Sequence, residues 1–220
     1  MKAWLAFRLA DAVLPVSHAL QRAIKRYGIQ ARFHVIPNVV DTMLFLPESP
    51  RGGDPNRKRI RFVGQLRPVR GIPYLLHALP RLGQKRSDWR MDIVGDGEAR
   101  SEYERLVGDL RLANRVAFHD LKSKRAVAAF MRRADFLVLS SLCETFSAPA
   151  AEALAVGRPV LATRCGGSEE FISDDVGLLV GLGDADALYR GLDDMLDPVH
   201  RYSSPQIAQY ARDRFAPQLV

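Results

Sequence analysis

Hydrophobic and polar positions along this chain follow two alternating rhythms. Short runs of apolar and β-branched residues are separated by longer runs in which apolar residues return every three or four positions. The first rhythm is that of a buried strand, the second that of a helix with one apolar face. RIRFVG at 59–64 predicts a strand, and the helix after it, 72–82, sets Ile72, Leu75, Leu76, Leu79 and Leu82 on one side. MDIVG at 91–95 predicts the next strand, followed by a helix carrying Tyr103, Leu106, Val107 and Leu110. A strand at 115–119 precedes a helix at 124–134 with Val127, Phe130 and Met131 turned inward. FLVLS at 136–140 is almost continuously apolar, as a strand covered on both faces must be. A helix from 148 to 156 stops at Gly157, with Pro159 just beyond it. Strands at 159–163 and 178–180 and a helix at 185–196 complete the series.

Strand, helix and strand repeated in this way build right-handed crossovers and a parallel sheet. The predicted fold is α/β, a doubly wound, Rossmann-like parallel sheet over residues 57–200. The chain before it behaves differently. A strand at 12–16, a helix capped by Ser17 and reaching Tyr27, and a strand at 33–36 give only two strands, too few to bury a sheet. Residues 1–46 therefore read as the C-terminal remnant of a preceding domain. Residues 47–56, dense in Pro, Gly and polar side chains, read as a linker, and 201–220 as a closing helix cut short after Phe215. The first residues place a Lys before apolar side chains, as secretory leaders do. Arg8 and Asp11 interrupt that run, however, and Trp4, Phe7 and Leu9 fit one helical face, so we read a helix and not a leader.

Composition narrows the picture. The chain is 47% hydrophobic and 26% charged, the balance of an ordinary globular protein. No stretch approaches the roughly 20 apolar residues that span a bilayer. Cys143 and Cys165 belong to no metal-ligand spacing or disulfide framework, which points to two reduced thiols in a cytoplasmic protein without a metal site. The net charge of +7 calls for an anionic partner: nucleic acid, a membrane surface or a small ligand. Clusters such as Lys122-Ser123-Lys124-Arg125 are short and carry few interleaved aromatics, which weighs against nucleic acid and reads locally as solvated surface.

Ligands of open parallel sheets bind beyond the carboxyl ends of the strands, and four such ends are distinctive here. The loop from Gly64 and Gln65 to Arg70 and Gly71 combines flanking glycines, a helix start and a cation, which suits an anion. In Gly95-Asp96-Gly97-Glu98 the carboxylates read as charges at a helix N-terminus. The third, Glu144-Thr145-Phe146-Ser147 running on to Glu152, places one carboxylate before a helix and a second inside it. The amides of residues 145–148 are then donors at a helix start, suited to a diphosphate. Glu152 lies among Ala150, Ala151, Ala153 and Leu154, where an unpaired charge is costly. The fourth, Cys165-Gly166-Gly167-Ser168, is a strand-to-helix turn with paired glycines.

FVGQLRPVRG, IVGDGE, ADFLVLSS, the two glutamates, GRPVLAT and the GG pair occur in an order that resembles the C-terminal, donor-binding half of glycosyltransferase family 4. VSHALQRAI and VIPNVVDTMLF resemble the end of that family's N-terminal domain and its passage into the hinge. The resemblance implies a GT-B fold and a retaining transferase that uses a UDP- or GDP-type nucleoside-diphosphate sugar, with no cofactor and no metal. It implies that Glu144 lies near the donor hexose, that Glu152 contacts the ribose, and that Gly64, Gln65 and Arg70 grip the diphosphate. Glu144 and Arg70 take the catalytic roles, and the turn of Thr145, Phe146 and Ser147 faces the donor. Base recognition falls near His119 to Leu121.

The chain also departs from the family. Gln65 replaces an Arg, Arg70 a Lys, Val39 a turn Gly and Ser147 a Gly. A lost phosphate cation weakens transition-state stabilisation by on the order of a few kcal/mol. The expected partners are the nucleotide-sugar donor and an N-terminal acceptor domain or a complementary chain, without which this chain is inactive. Peripheral association with the inner face of a membrane fits a lipid acceptor. The rival readings are a non-catalytic nucleotide-sugar-binding subunit of a split transferase and a basic nucleic-acid or membrane-surface module.

Overall fold

The computed structural model describes residues 7, 10–47, 57–120, 122–197 and 202–217. The predicted linker lies outside the described residues except for Pro47 and so does the N-terminal helical face except for Phe7; Leu121 also lies outside them. Six strands form one parallel sheet: β3 (Lys58–Val63), β4 (Trp89–Val94), β5 (Val116–His119), β6 (Phe136–Leu139), β7 (Val160–Thr163) and β8 (Gly177–Val180). Their spatial order is β5-β4-β3-β6-β7-β8. Chain order thus reverses between β3 and β6, the switch point of a doubly wound fold.

Helices α2 (Ile72–Lys85), α3 (Arg100–Asp109) and α6 (Ala185–Leu196) pack with one another, as do α4 (Lys124–Arg132), α5 (Ala148–Ala155) and α7 (Ser204–Phe215). The sheet lies between these two layers, which explains why every residue of β6 and β7 is buried. The predicted stripe on α2 is fully buried, and the helix continues past Leu82 to Lys85 despite Pro80. Gly157 closes α5 at φ 74°, as a left-handed C-cap does.

Before the sheet, β1 (Ala12–Val13) and β2 (Arg32–Phe33) pair in parallel around α1 (His18–Arg26). Both strands are shorter than predicted. Pairing nevertheless continues on one side, where His34 N–H donates to Val13 O (3.1 Å) and Ile36 N–H to Pro15 O (3.0 Å). Pro15 has no N–H to return, so the ladder is not completed. Ser17 caps α1 as expected, accepting from Leu20 N–H at 3.1 Å. Val40 and Phe45 join the main hydrophobic core, which ties this segment to the larger sheet.

Candidate active site

The loops leaving β3 and β6 meet at the switch point. Ser140 Oγ donates to Arg70 O (2.9 Å) and Leu142 N–H to Val69 O (2.8 Å), joining the two loops across it. A short 3-10 turn, Pro68–Arg70, precedes Gly71 at φ 59°. A Cβ on Gly71 would stand 2.1 Å from Ser140 O. This glycine therefore admits the protein's own backbone, where the sequence suggested approach by a ligand.

Arg70 and Glu144 are brought together. The Arg70 guanidinium is hydrogen-bonded to Glu144 Oε1, and Ser141 Oγ donates to the same oxygen at 2.9 Å. The Glu144 side chain is 9% exposed, so the pair is held at the mouth of the crevice with most of the carboxylate removed from water. Gln65 is exposed at the start of the loop, and Gly64 beside it is half-buried.

The turn after Glu144 is unusual. Glu144 N–H donates to Cys165 O (3.1 Å) and Gly167 N–H to Glu144 O (2.9 Å), a parallel bridge between the two loops. Ser147 then takes the left-handed conformation, φ 70° and ψ 75°, directly before α5. Its Oγ is buried without a hydrogen-bond partner. Among the described residues, the amides of Thr145, Phe146, Ser147 and Ala148 meet no acceptor. Consecutive free amides at a left-handed turn and a helix start form an anion-binding concavity. The Phe146 ring does not face it. That ring is 3% exposed and packs on Phe171 and Phe215, with centroids 5.3 and 5.5 Å away. Phe146 thus offers the concavity its amide, while its side chain anchors the turn.

Glu152 lies one turn into α5, 6% exposed. Burial pushes its carboxyl above the ordinary range, against the pull of the Lys124 ammonium, which is hydrogen-bonded to it. The Lys124 side chain is 67% exposed, as the solvated cluster predicts, and from the first residue of α4, capped by Ser123, its ammonium also reaches Glu152. No local spacing reports this contact, because the partner is 28 residues away. Asp96 and Glu98 lie just before helix α3, which starts at Arg100; Asp96 accepts from Gly97 N–H (2.8 Å) and Glu98 reaches Arg67 (3.6 Å). His119 is committed to structure, hydrogen-bonded to Asp92 at 2.7 Å and edge-on to Phe130.

A cavity of about 520 Å³ reaches this turn from the N-terminal segment, lined by Ser17, His18, His34, Phe146, Gly167 and Glu170 among others. Among the described residues, no group of three or more His, Cys, Asp or Glu side chains could hold a metal ion, and no helix is long and apolar enough to cross a membrane.

Residues 49–214 match the family described as glycosyl transferases group 1, and residues 1–44 match glycosyltransferase family 4. Over 168 residues the chain is 34% identical to an MMP alpha-(1->4)-mannosyltransferase of Mycolicibacterium hassiacum, covering 76% of this chain and 40% of that one. It is 32% identical over 183 residues to a D-inositol 3-phosphate glycosyltransferase of Pseudarthrobacter chlorophenolicus, covering 78% of this chain and 44% of that one. The chain thus spans less than half the length of these relatives. Among solved structures, sucrose-phosphate synthase from Thermosynechococcus elongatus superposes with a TM-score of 0.90 at 23% identity, over 99% of this chain and 57% of that one. Anabaena HepE in complex with UDP-glucose gives 0.84 at 25% identity, over 96% of this chain and 62% of that one. With the sheet order, the two helical layers and these matches in agreement, the chain belongs to the group 1 glycosyltransferases, with the α/β architecture of the GT-B type.

Proposed function

We propose that this chain supplies the donor site of a retaining transferase that moves a sugar from a nucleoside diphosphate to an acceptor hydroxyl. The observation that carries this reading is the run of four unpaired amides at 145–148, ending at the left-handed Ser147 and flanked by the Arg70–Glu144 pair. The diphosphate accepts from those amides, and Arg70 turns from Glu144 towards the leaving phosphate as charge builds on it. Such fixed donors act where charge develops and need no reorganisation. Glu144, freed in part from Arg70, faces the donor hexose, and Glu152 accepts from the ribose hydroxyls. HepE, which shares the fold, is in complex with UDP-glucose, and this supports a nucleotide sugar as donor. The acceptor is bound across a cleft to which a further domain or chain contributes, so this chain by itself binds nucleotide weakly and transfers no sugar.

Calorimetric titration with UDP, GDP and ADP tests the reading. One nucleotide is expected to bind, and Glu152→Ala and Arg70→Ala each to weaken it by about tenfold or more, the scale of one charge-assisted hydrogen bond. Binding that is absent for all three, or indifferent to both substitutions, would overturn it.

A further inference from the structure

Cys143 and Cys165, the chain's two cysteines, are both free thiols, and their sulfurs have no role in the donor site described above. Backbone register brings them together. The β6–β7 ladder pairs Leu137 with Val160, Val138 with Leu161 and Leu139 with Ala162. Continued without interruption, it would set Cys143 opposite Gly166. The next bridge instead pairs Gly166 with Glu144, closed by the hydrogen bonds of Glu144 N–H to Cys165 O and Gly167 N–H to Glu144 O. The segment leaving β6 therefore carries one residue more than the segment leaving β7, a bulge. That extra residue shifts Cys143 into register with Cys165.

Adjacent parallel chains lie about 4.8 Å apart, within the roughly 4.4–6.8 Å between Cα atoms over which a disulfide closes. Each cysteine directly precedes its member of the single Glu144–Gly166 bridge, and in a regular ladder residues at that register project to the same side. Cys143 is exposed and Cys165 half-buried. Burial pushes the Cys165 thiol up, Glu144 and Cys143 push the same way, and Thr163 and Ser168 oppose them.

We propose that Cys143 and Cys165 form a reversible thiol pair, which a small-molecule disulfide converts into an intramolecular cross-link fastening the turn at Glu144 to the loop at Gly166. The Cys143 thiolate attacks one sulfur of the small disulfide, forming a mixed disulfide and releasing the other half as a thiolate. Cys165, deprotonated to solvent, then attacks the Cys143 sulfur and expels the second half. Two protein thiols are oxidised and one small disulfide is reduced to two thiols, which take up the two protons. Because the Cys165 thiol is raised, less of it is thiolate at neutral pH, and the second step speeds up as pH rises.

The inference rests on register and not on the donor reading, and its test needs no nucleotide. The folded chain is incubated with oxidised glutathione, then digested and weighed. Arg164 lies between the cysteines, so trypsin places them on separate peptides that only the cross-link joins. The expected product is a monomer lighter by two hydrogens, with those peptides linked. Cys165→Ser is expected to stop at one glutathione on Cys143. In the cross-linked protein, hydrogen exchange at the Glu144 and Gly167 amides is expected to slow by about tenfold and to recover with dithiothreitol, since both amides close the bridge. Two retained thiols, two glutathione adducts, intermolecular dimers, or unchanged exchange at both amides would each overturn the proposal.

Discussion

Glu152 shows at the scale of a single residue how burial and charge are set against each other. Its folded carboxyl holds a proton more tightly than in the unfolded chain, because burial outweighs Lys124. The sign follows: this group adds stability as pH falls through its raised value, and the gain is complete below the ordinary 4.5. The ribose recognition proposed for Glu152 needs the opposite, an ionised carboxylate, and Lys124 favours that form. Lys124→Met is therefore expected to weaken nucleotide binding by about tenfold near pH 6 and by less near pH 8, with Lys124→Arg restoring it. A loss independent of pH in a titration series would instead mean that Lys124 touches the nucleotide itself. Gly167 carries a steric prediction. A Cβ there would lie 2.0 Å from Thr145 O, whereas at Gly28 it would meet nothing within 4 Å and face only the cost of φ +74°. Gly167→Ala is expected to cost about 3 kcal/mol and Gly28→Ala about 1 kcal/mol. Thermal melts should show the first falling by about 10 °C and the second by about 3 °C.

Among the elements, periodicity reported whatever a local pattern determines. The stripe of α2, the continuous burial of β6 and the cap at Ser17 all arise from neighbours within one turn or one strand, so they were legible in the sequence. So was the identity of Glu144, Glu152 and Arg70 as candidate side chains. Their partners were not. Lys124 reaches Glu152, and Arg70 reaches Glu144, only after β5, β4, β3 and β6 have been assembled into one sheet, and spacing along the chain carries no trace of that. Gly71 and Gly167 were legible as glycines but not as the sites of backbone–backbone contact that require them. The entry to α1 shows a similar mixture. Ser17 caps it from the preceding residue, while Glu170 accepts from His18 N–H (2.9 Å) and Ala19 N–H across 152 and 151 residues. Ser17→Ala is expected to cost about 1 kcal/mol. Combined with Glu170→Gln it should raise hydrogen exchange throughout α1 while leaving α2 unchanged; equal protection of α1 in the double variant would remove Glu170 from this role.

For the whole molecule, the switch point decides where chemistry can occur. The loops after β3 and β6 turn to opposite faces of the sheet, so the crevice between them is the one place where α2 and α5 both begin. Arg70, Glu144 and the free amides gather there because they lie at those two ends. The N-terminal segment is mounted on the same body at three separate elements. Helix α1 sits on Glu170, Val40 N–H donates to Phe215 O (2.8 Å), and Arg132 donates to Leu44 O (3.1 Å). A plate held by two pins can still rock about the line joining them. One held at three points on three supports resists rocking about any single line. A push on the segment from Ala12 to Phe45 is therefore shared among Glu170, Phe215 and Arg132, and reaches the switch-point crevice through three elements at once.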